Sequence, residues 1–235
     1  MLVFLTLSLS ALRPILIVIL FMTAFWTIRS IRAQKRRQAL TALAQQMGFT
    51  YEGDDWSGEG QAPVTETALF QCGRRQAFHN IMVGAYAGLN AGLFDYQFTT
   101  GVGRSSRTYV QTVAAFWKGG LCLPEFAIYP EGIFEKLGNV FSHRDIHFDA
   151  HPEFSCRYVL RGPEEEKIRQ LFSDGLVTFL ESLDPARKWH LEGADTTIVL
   201  YRGGKPVKPE QLQAFLEEAS SIATSVLSWV NNKQS

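Results

Sequence analysis

The run from Leu2 to Ile28 is apolar almost throughout, broken by Arg13 and Pro14. Arg29, Arg32, Lys35, Arg36 and Arg37 follow it at once. A helix rises about 1.5 Å per residue, so roughly 20 apolar residues cross a hydrocarbon core about 30 Å thick. The stretch after Pro14 is too short alone, so part of the first thirteen residues takes part. Arg13 then lies toward the N-terminal end of the span, where its long stem lets the guanidinium reach the headgroups. Pro14 is tolerated in a membrane helix. Phe25 and Trp26 stand at the basic end, where aromatic rings favour the interface. The cations follow the apolar core instead of preceding it, the reverse of a cleaved signal peptide. The segment therefore reads as a signal-anchor, with the N-terminus outside and the following domain cytoplasmic by the positive-inside rule.

The formal net charge of zero is a cancellation. The first 51 residues hold six Lys+Arg and no acid, while the rest holds 17 basic and 23 acidic residues. A mildly acidic body on a basic stalk is a poor general nucleic-acid binder. The stalk cations Arg29, Arg32, Lys35, Arg36 and Arg37 instead suit anionic lipid headgroups. Cys72, Cys122 and Cys156 are odd in number, widely spaced and without a CxxC pair, so neither a disulfide framework nor a zinc ribbon is indicated. No cofactor is expected.

Three parts follow: an anchor over 1–28, a basic juxtamembrane helix and acidic, glycine-bearing linker over 29–63, and an α+β domain over 64–235. Leu40, Leu43 and Met47 fall at helical spacing before Gly48. Strands are expected over 78–86, 93–99, 108–117, 126–129, 145–148 and 154–160. In the second, Phe94, Tyr96 and Phe98 share one face, Asp95 and Gln97 the other. Gly88, Asn90 and Gly92 read as a turn cluster, and 132–137 as a turn or short helix. An amphipathic helix is expected over 164–183, with Pro163 before it and Pro185 after it. Residues 189–192 and 196–201 read as a hairpin about Gly193, and Pro209 opens a last helix. Strands cluster early and helices late. The expectation is an α+β fold with an antiparallel sheet built from hairpins, helices packed on it, and one N-terminal transmembrane helix before it.

Three constellations invite chemistry. His143, Asp145, His147, Asp149 and His151 alternate, and in a strand would share one face. Same-face neighbours lie almost 7 Å apart, so at most two, with His147 and Asp149 as candidates, could chelate one metal ion. The bland alternative is a solvated edge. Gly101–Ser106 resembles a phosphate cradle, yet a strand follows where a phosphate loop needs a helix, so a hairpin tip with exposed Arg104 and Arg107 explains it. Cys72 stands near Arg74 and Arg75, cations that lower a thiol pKa, with His79 further on. There is no GxSxG elbow.

The strings FDYQFTTG from Phe94, QTV from Gln111, YPEGIF from Tyr129, and WHLEG from Trp189 before IVLYRGG together resemble a group of bacterial proteins. Many of these carry an N-terminal membrane segment. The resemblance covers about residues 70–230. It implies only that the soluble part is one recurring domain in bacteria, and it carries no assigned activity or site residue; with the anchor, the expected location is a bacterial inner membrane. The leading expectation is a single-pass membrane protein whose domain acts as a binding or interaction module. A membrane-tethered, metal-dependent hydrolase and an anionic-lipid headgroup sensor are the alternatives.

Overall fold

The computed structural model describes residues 9–56, 64, 66–131 and 145–234. Helix α1 (Leu9–Gln46) is one rod of 38 residues that runs through Pro14. From Ile15 to Ile31 its large apolar side chains stand 47–71 % exposed and pack on nothing in the chain. Only an apolar solvent relieves that much exposed surface along one helix. The helix stops at Gly48, whose φ of +72° is the left-handed turn glycine adopts freely, and the Phe49 amide returns to Ala44 O at 2.8 Å.

Beyond it come β1 (Thr50–Gly53), α2 (Ala68–Gln71), β2 (Arg74–Tyr86), β3 (Leu89–Thr100), β4 (Arg107–Trp117) and β5 (Leu123–Pro130). Then follow α3 (Pro152–Arg157), β6 (Tyr158–Arg161), α4 (Glu165–Leu171), α5 (Asp174–Ser182), β7 (Trp189–Asp195), β8 (Thr197–Arg202) and α6 (Pro209–Gln234). The strands form one eight-stranded antiparallel sheet in the order β1-β2-β3-β4-β8-β7-β5-β6. The fold is α+β, with a long apolar helix ahead of it.

Both sheet faces are buried. One carries Leu93, Ala114, Ile128, Leu191 and Leu200 against α6 and the end of α1. The other carries Phe94, Tyr96, Phe98 and Tyr201 beneath α2 and Trp56. The alternation expected in β3 is thus correct, but the face bearing Asp95 is the helix-covered one. The folded body also takes in Leu40, Ala44, Phe49 and Trp56, so it begins well before residue 64.

Several expected boundaries move. The β2–β3 turn is Ala87–Gly88, both at positive φ, which leaves Asn90 and Gly92 inside β3. Residues 145–148 form no ladder, and Ile146 alone donates to Leu160 O. Of the strand expected over 154–160, the part from Tyr158 pairs as β6, while the first part belongs to α3, which Pro152 opens because proline suits the first helical turn. The helix expected over 164–183 breaks at Ser173. A Cβ on Gly175 would sit 2.1 Å from the Trp229 ring, so α5 is seated by α6 and does not continue α4. The β7–β8 turn is Asp195–Thr196, since Ala194 already pairs with Thr197. Residues 132–137 and the side chain of Arg13 lie outside the description.

Gly193 is therefore a close-packed strand residue. A Cβ there would lie 2.4 Å from the Phe126 ring. Gly193→Ala should lower stability by about 1–3 kcal/mol through overpacking, read as a shift in the urea midpoint at unchanged slope.

Candidate functional site at the anchor-to-domain junction

Asp95 sits in the middle of β3 and is 4 % exposed. A carboxylate there requires partners on several sides. Thr112 on the neighbouring strand donates to Oδ1 at 2.6 Å, Asn80 donates to Oδ2 at 2.9 Å, and Arg36 of α1 donates to Oδ2 at 2.8 Å. Arg36 also donates to Val207 O at 2.9 Å, while the Val207 amide donates to Thr112 Oγ1 at 2.8 Å. One buried carboxylate thus ties together α1, β2, β3, β4 and the segment leading to α6. Asn80 reaches it from an irregularity in the β2–β3 ladder, at φ 54°. A second group surrounds Asp54, which accepts from the Asn80 amide at 3.0 Å and lies 3.6 Å from Arg37 and 3.5 Å from His79. Between α1 and the sheet these residues line a cleft of about 610 Å³.

On the opposite face Glu192 of β7 is fully enclosed. It accepts from Tyr201 Oη at 2.7 Å, from the Leu69 amide at 2.8 Å and from Tyr129 Oη at 3.2 Å. Burial raises its pKa, and the donated hydrogen bonds only partly oppose this. Burial, aided by Glu192, pushes the Cys72 thiol up to about 12. That removes the nucleophile reading for Cys72. His79 takes a different partner, Asp54, on the other side of the sheet. The Glu192 cluster fixes α2 to the sheet, which is a structural role.

At the far end of the sheet lies an open groove of about 720 Å³. Glu66, Glu125, Glu164 and Asp195 ring it with Lys167, and Leu123, Leu171 and Val230 supply apolar lining.

The residues singled out from sequence are scattered. Asp145 pairs with Arg161, and His151 Nδ1 lies 3.2 Å from Glu181. His147 and Asp149 are exposed in an irregular segment, and His143 is not described. The common face vanishes because these residues form no strand, and no cluster of three metal-ligating side chains occurs among the described residues. Of the stalk cations, Arg29, Arg32 and Lys35 stay exposed. Arg36 does not turn to lipid; its side chain is claimed by Asp95. Sequence reading missed this junction. The available signal was an acid amid apolar strand residues, downstream of the cations on α1.

The class defined so far is an α+β domain fastened to a long, uncovered apolar helix. No protein-family model and no curated protein matches the chain. Among solved structures, it is similar to the crystal structure of the mycobacterial trehalose monomycolate transport factor A, TtfA. The TM-score is 0.56 at 12 % identity, over 83 % of this chain and 94 % of that one. At that identity the likeness shows the fold.

Arg36→Met leaves the Asp95 carboxylate buried with neutral donors only and should cost about 3 kcal/mol. Arg36→Met combined with Asp95→Leu should recover part of that loss, a non-additivity that urea titration of the detergent-solubilised chain reads directly. For Glu192, the native pKa lies above the unfolded value. The native state then binds the extra proton between the two, and stability declines as pH rises through that interval. Unfolding free energies measured from pH 4 to pH 8 should show this decline, and Glu192→Gln should abolish it.

Proposed function

We propose that the chain is a single-pass protein of a bacterial inner membrane, with its α+β domain on the cytoplasmic side serving as a non-catalytic interaction module. The single observation that carries this reading is the continuity of anchor and domain. Helix α1 runs unbroken from its uncovered apolar half to the buried Leu40 and Ala44, and Arg36 locks it to Asp95. A domain locked to its anchor has one end turned to the lipid and one turned away. The acidic groove lies at the end turned away, beside the Asp195 turn. That is the place for a partner protein with a basic, partly apolar element.

The TtfA likeness supports an accessory role. That neighbour is titled a trehalose monomycolate transport factor, and a transport-related role for this chain is in keeping with the likeness.

A photoreactive amino acid placed at Gln170 in the groove should yield one discrete protein adduct in native cells, lost in Glu164→Lys/Asp195→Lys. The same probe at Ser221 on exposed α6 should not yield it. Absence of an adduct, or equal adducts from both positions, refutes the groove as partner site. An enzymatic reporter fused after Ser235 should be active only if it works in the cytoplasm; periplasmic activity refutes the orientation.

A further inference from the structure

Among the described residues, Val102 is the only strongly exposed large apolar side chain outside α1, at 75 %. It lies at the tip of the β3–β4 hairpin, just before a 3-10 turn at Gly103–Ser105. Four exposed arginines gather at the same end of the sheet. Arg104 is in the turn, and Arg107 pairs with Thr100 at the start of β4. Arg74 pairs with Thr99 at the start of β2, and Arg75 follows it. None of the four has an acidic partner within 4 Å among the described residues. Between Glu66 and Glu125 the sequence holds one acid, Asp95, and its charge is taken by Arg36. The β2–β4 corner of this end therefore carries four arginines and no acid of its own segment other than Asp95, with an apolar point.

Its position follows from α1. Leu40 lies by Leu93 and Met82, Arg36 reaches Asp95, and Arg29 and Ala33 face Gln97 and Val110 across the cleft. Toward its N-terminus, then, the helix runs in the same direction as β3 toward its hairpin tip. From Gln97 to Val102 the strand advances about 16 Å at roughly 3.3 Å per residue. The same distance along a helix is about eleven residues. Counted from Arg29 and Ala33, that offset carries the tip past Phe25 and Trp26, the aromatic residues at the lipid interface, toward the α1 turns at Val18–Met22.

We propose that the β3–β4 hairpin end of the sheet is a second bilayer contact, in which Val102 enters the headgroup layer while Arg74, Arg75, Arg104 and Arg107 bind anionic lipid headgroups. This goes beyond the interaction-module reading and rests only on α1 spanning a membrane. Two arguments on the molecule select a lipid surface as the occupant. The patch is continuous with the uncovered apolar helix, and its charge complements anionic lipid. Arginine suits the task, because its planar fork grips phosphate oxygens while its stem lies along apolar surface.

The test uses the full-length chain in vesicles. With Cys122→Ser and Cys156→Ser in place and Cys72 buried, Val102→Cys carries a polarity-sensitive fluorophore. Gln170→Cys carries it in a control at the far end. In vesicles of phosphatidylcholine with one-third phosphatidylglycerol, quenching at position 102 by neutral acrylamide, which the anionic surface does not repel, should fall at least about threefold relative to pure phosphatidylcholine. High salt should reverse the effect, as should Arg104→Glu/Arg107→Glu. The label at position 170 should stay quenched throughout. Circular dichroism identical to the parent shows that each variant is folded. Quenching at 102 equal to that at 170 in every lipid overturns the contact. Protection equal in both lipids, or insensitive to salt, overturns the recognition of anionic headgroups. Either result leaves the groove crosslinking free to succeed or fail independently.

Discussion

The architecture depends on how one buried carboxylate is neutralised. Asp95 is buried in an interior strand, and in that setting an uncompensated charge costs several kcal/mol. Its strand neighbours offer only neutral donors, Thr112 and Asn80. The cation comes from the membrane-anchor helix, 59 residues upstream. The interaction that satisfies the sheet therefore also fixes the direction of the anchor. Leu40, Ala44 and Phe49 extend the same attachment by apolar burial. A domain joined to its anchor only by a soft linker would sample many orientations. This one is held directly at the long apolar helix.

Fixed orientation gives meaning to the distribution of charge. The end of the sheet beside the anchor is basic and ends in an exposed valine, while the opposite end is acidic and grooved. The net charge of zero conceals these two local concentrations of charge. Glu192 and Cys72 are deeply buried, with pKa values raised mainly by desolvation, and they serve to hold α2 against the sheet.

Local pattern was legible wherever it did not depend on distant partners. The alternation in β3, the glycine at the end of α1 and the proline opening α6 all appear in the structure, because pleat geometry, left-handed φ and first-turn chemistry are decided within a few residues. Failures came where packing chose between local options. Gly193 has the composition of a turn but lies under the Phe126 ring, and the turn moved to Asp195. The histidine stretch alternates like a strand, yet its side chains found separate partners in Arg161 and Glu181. Of the five stalk cations grouped by sequence as one basic run, Arg36 was drawn into the domain.

By itself the sequence determined an apolar helix of membrane-crossing length with cations at one end, and an α+β body of hairpins and late helices. Hydrophobic length and side-chain periodicity are properties of contiguous residues. Only the tertiary structure decided that the stalk belongs to the domain, that Arg36 answers Asp95 and not lipid, and that Val102 shares an end with Arg74. Those relations join residues separated by tens of positions, and the order of strands across the sheet creates them.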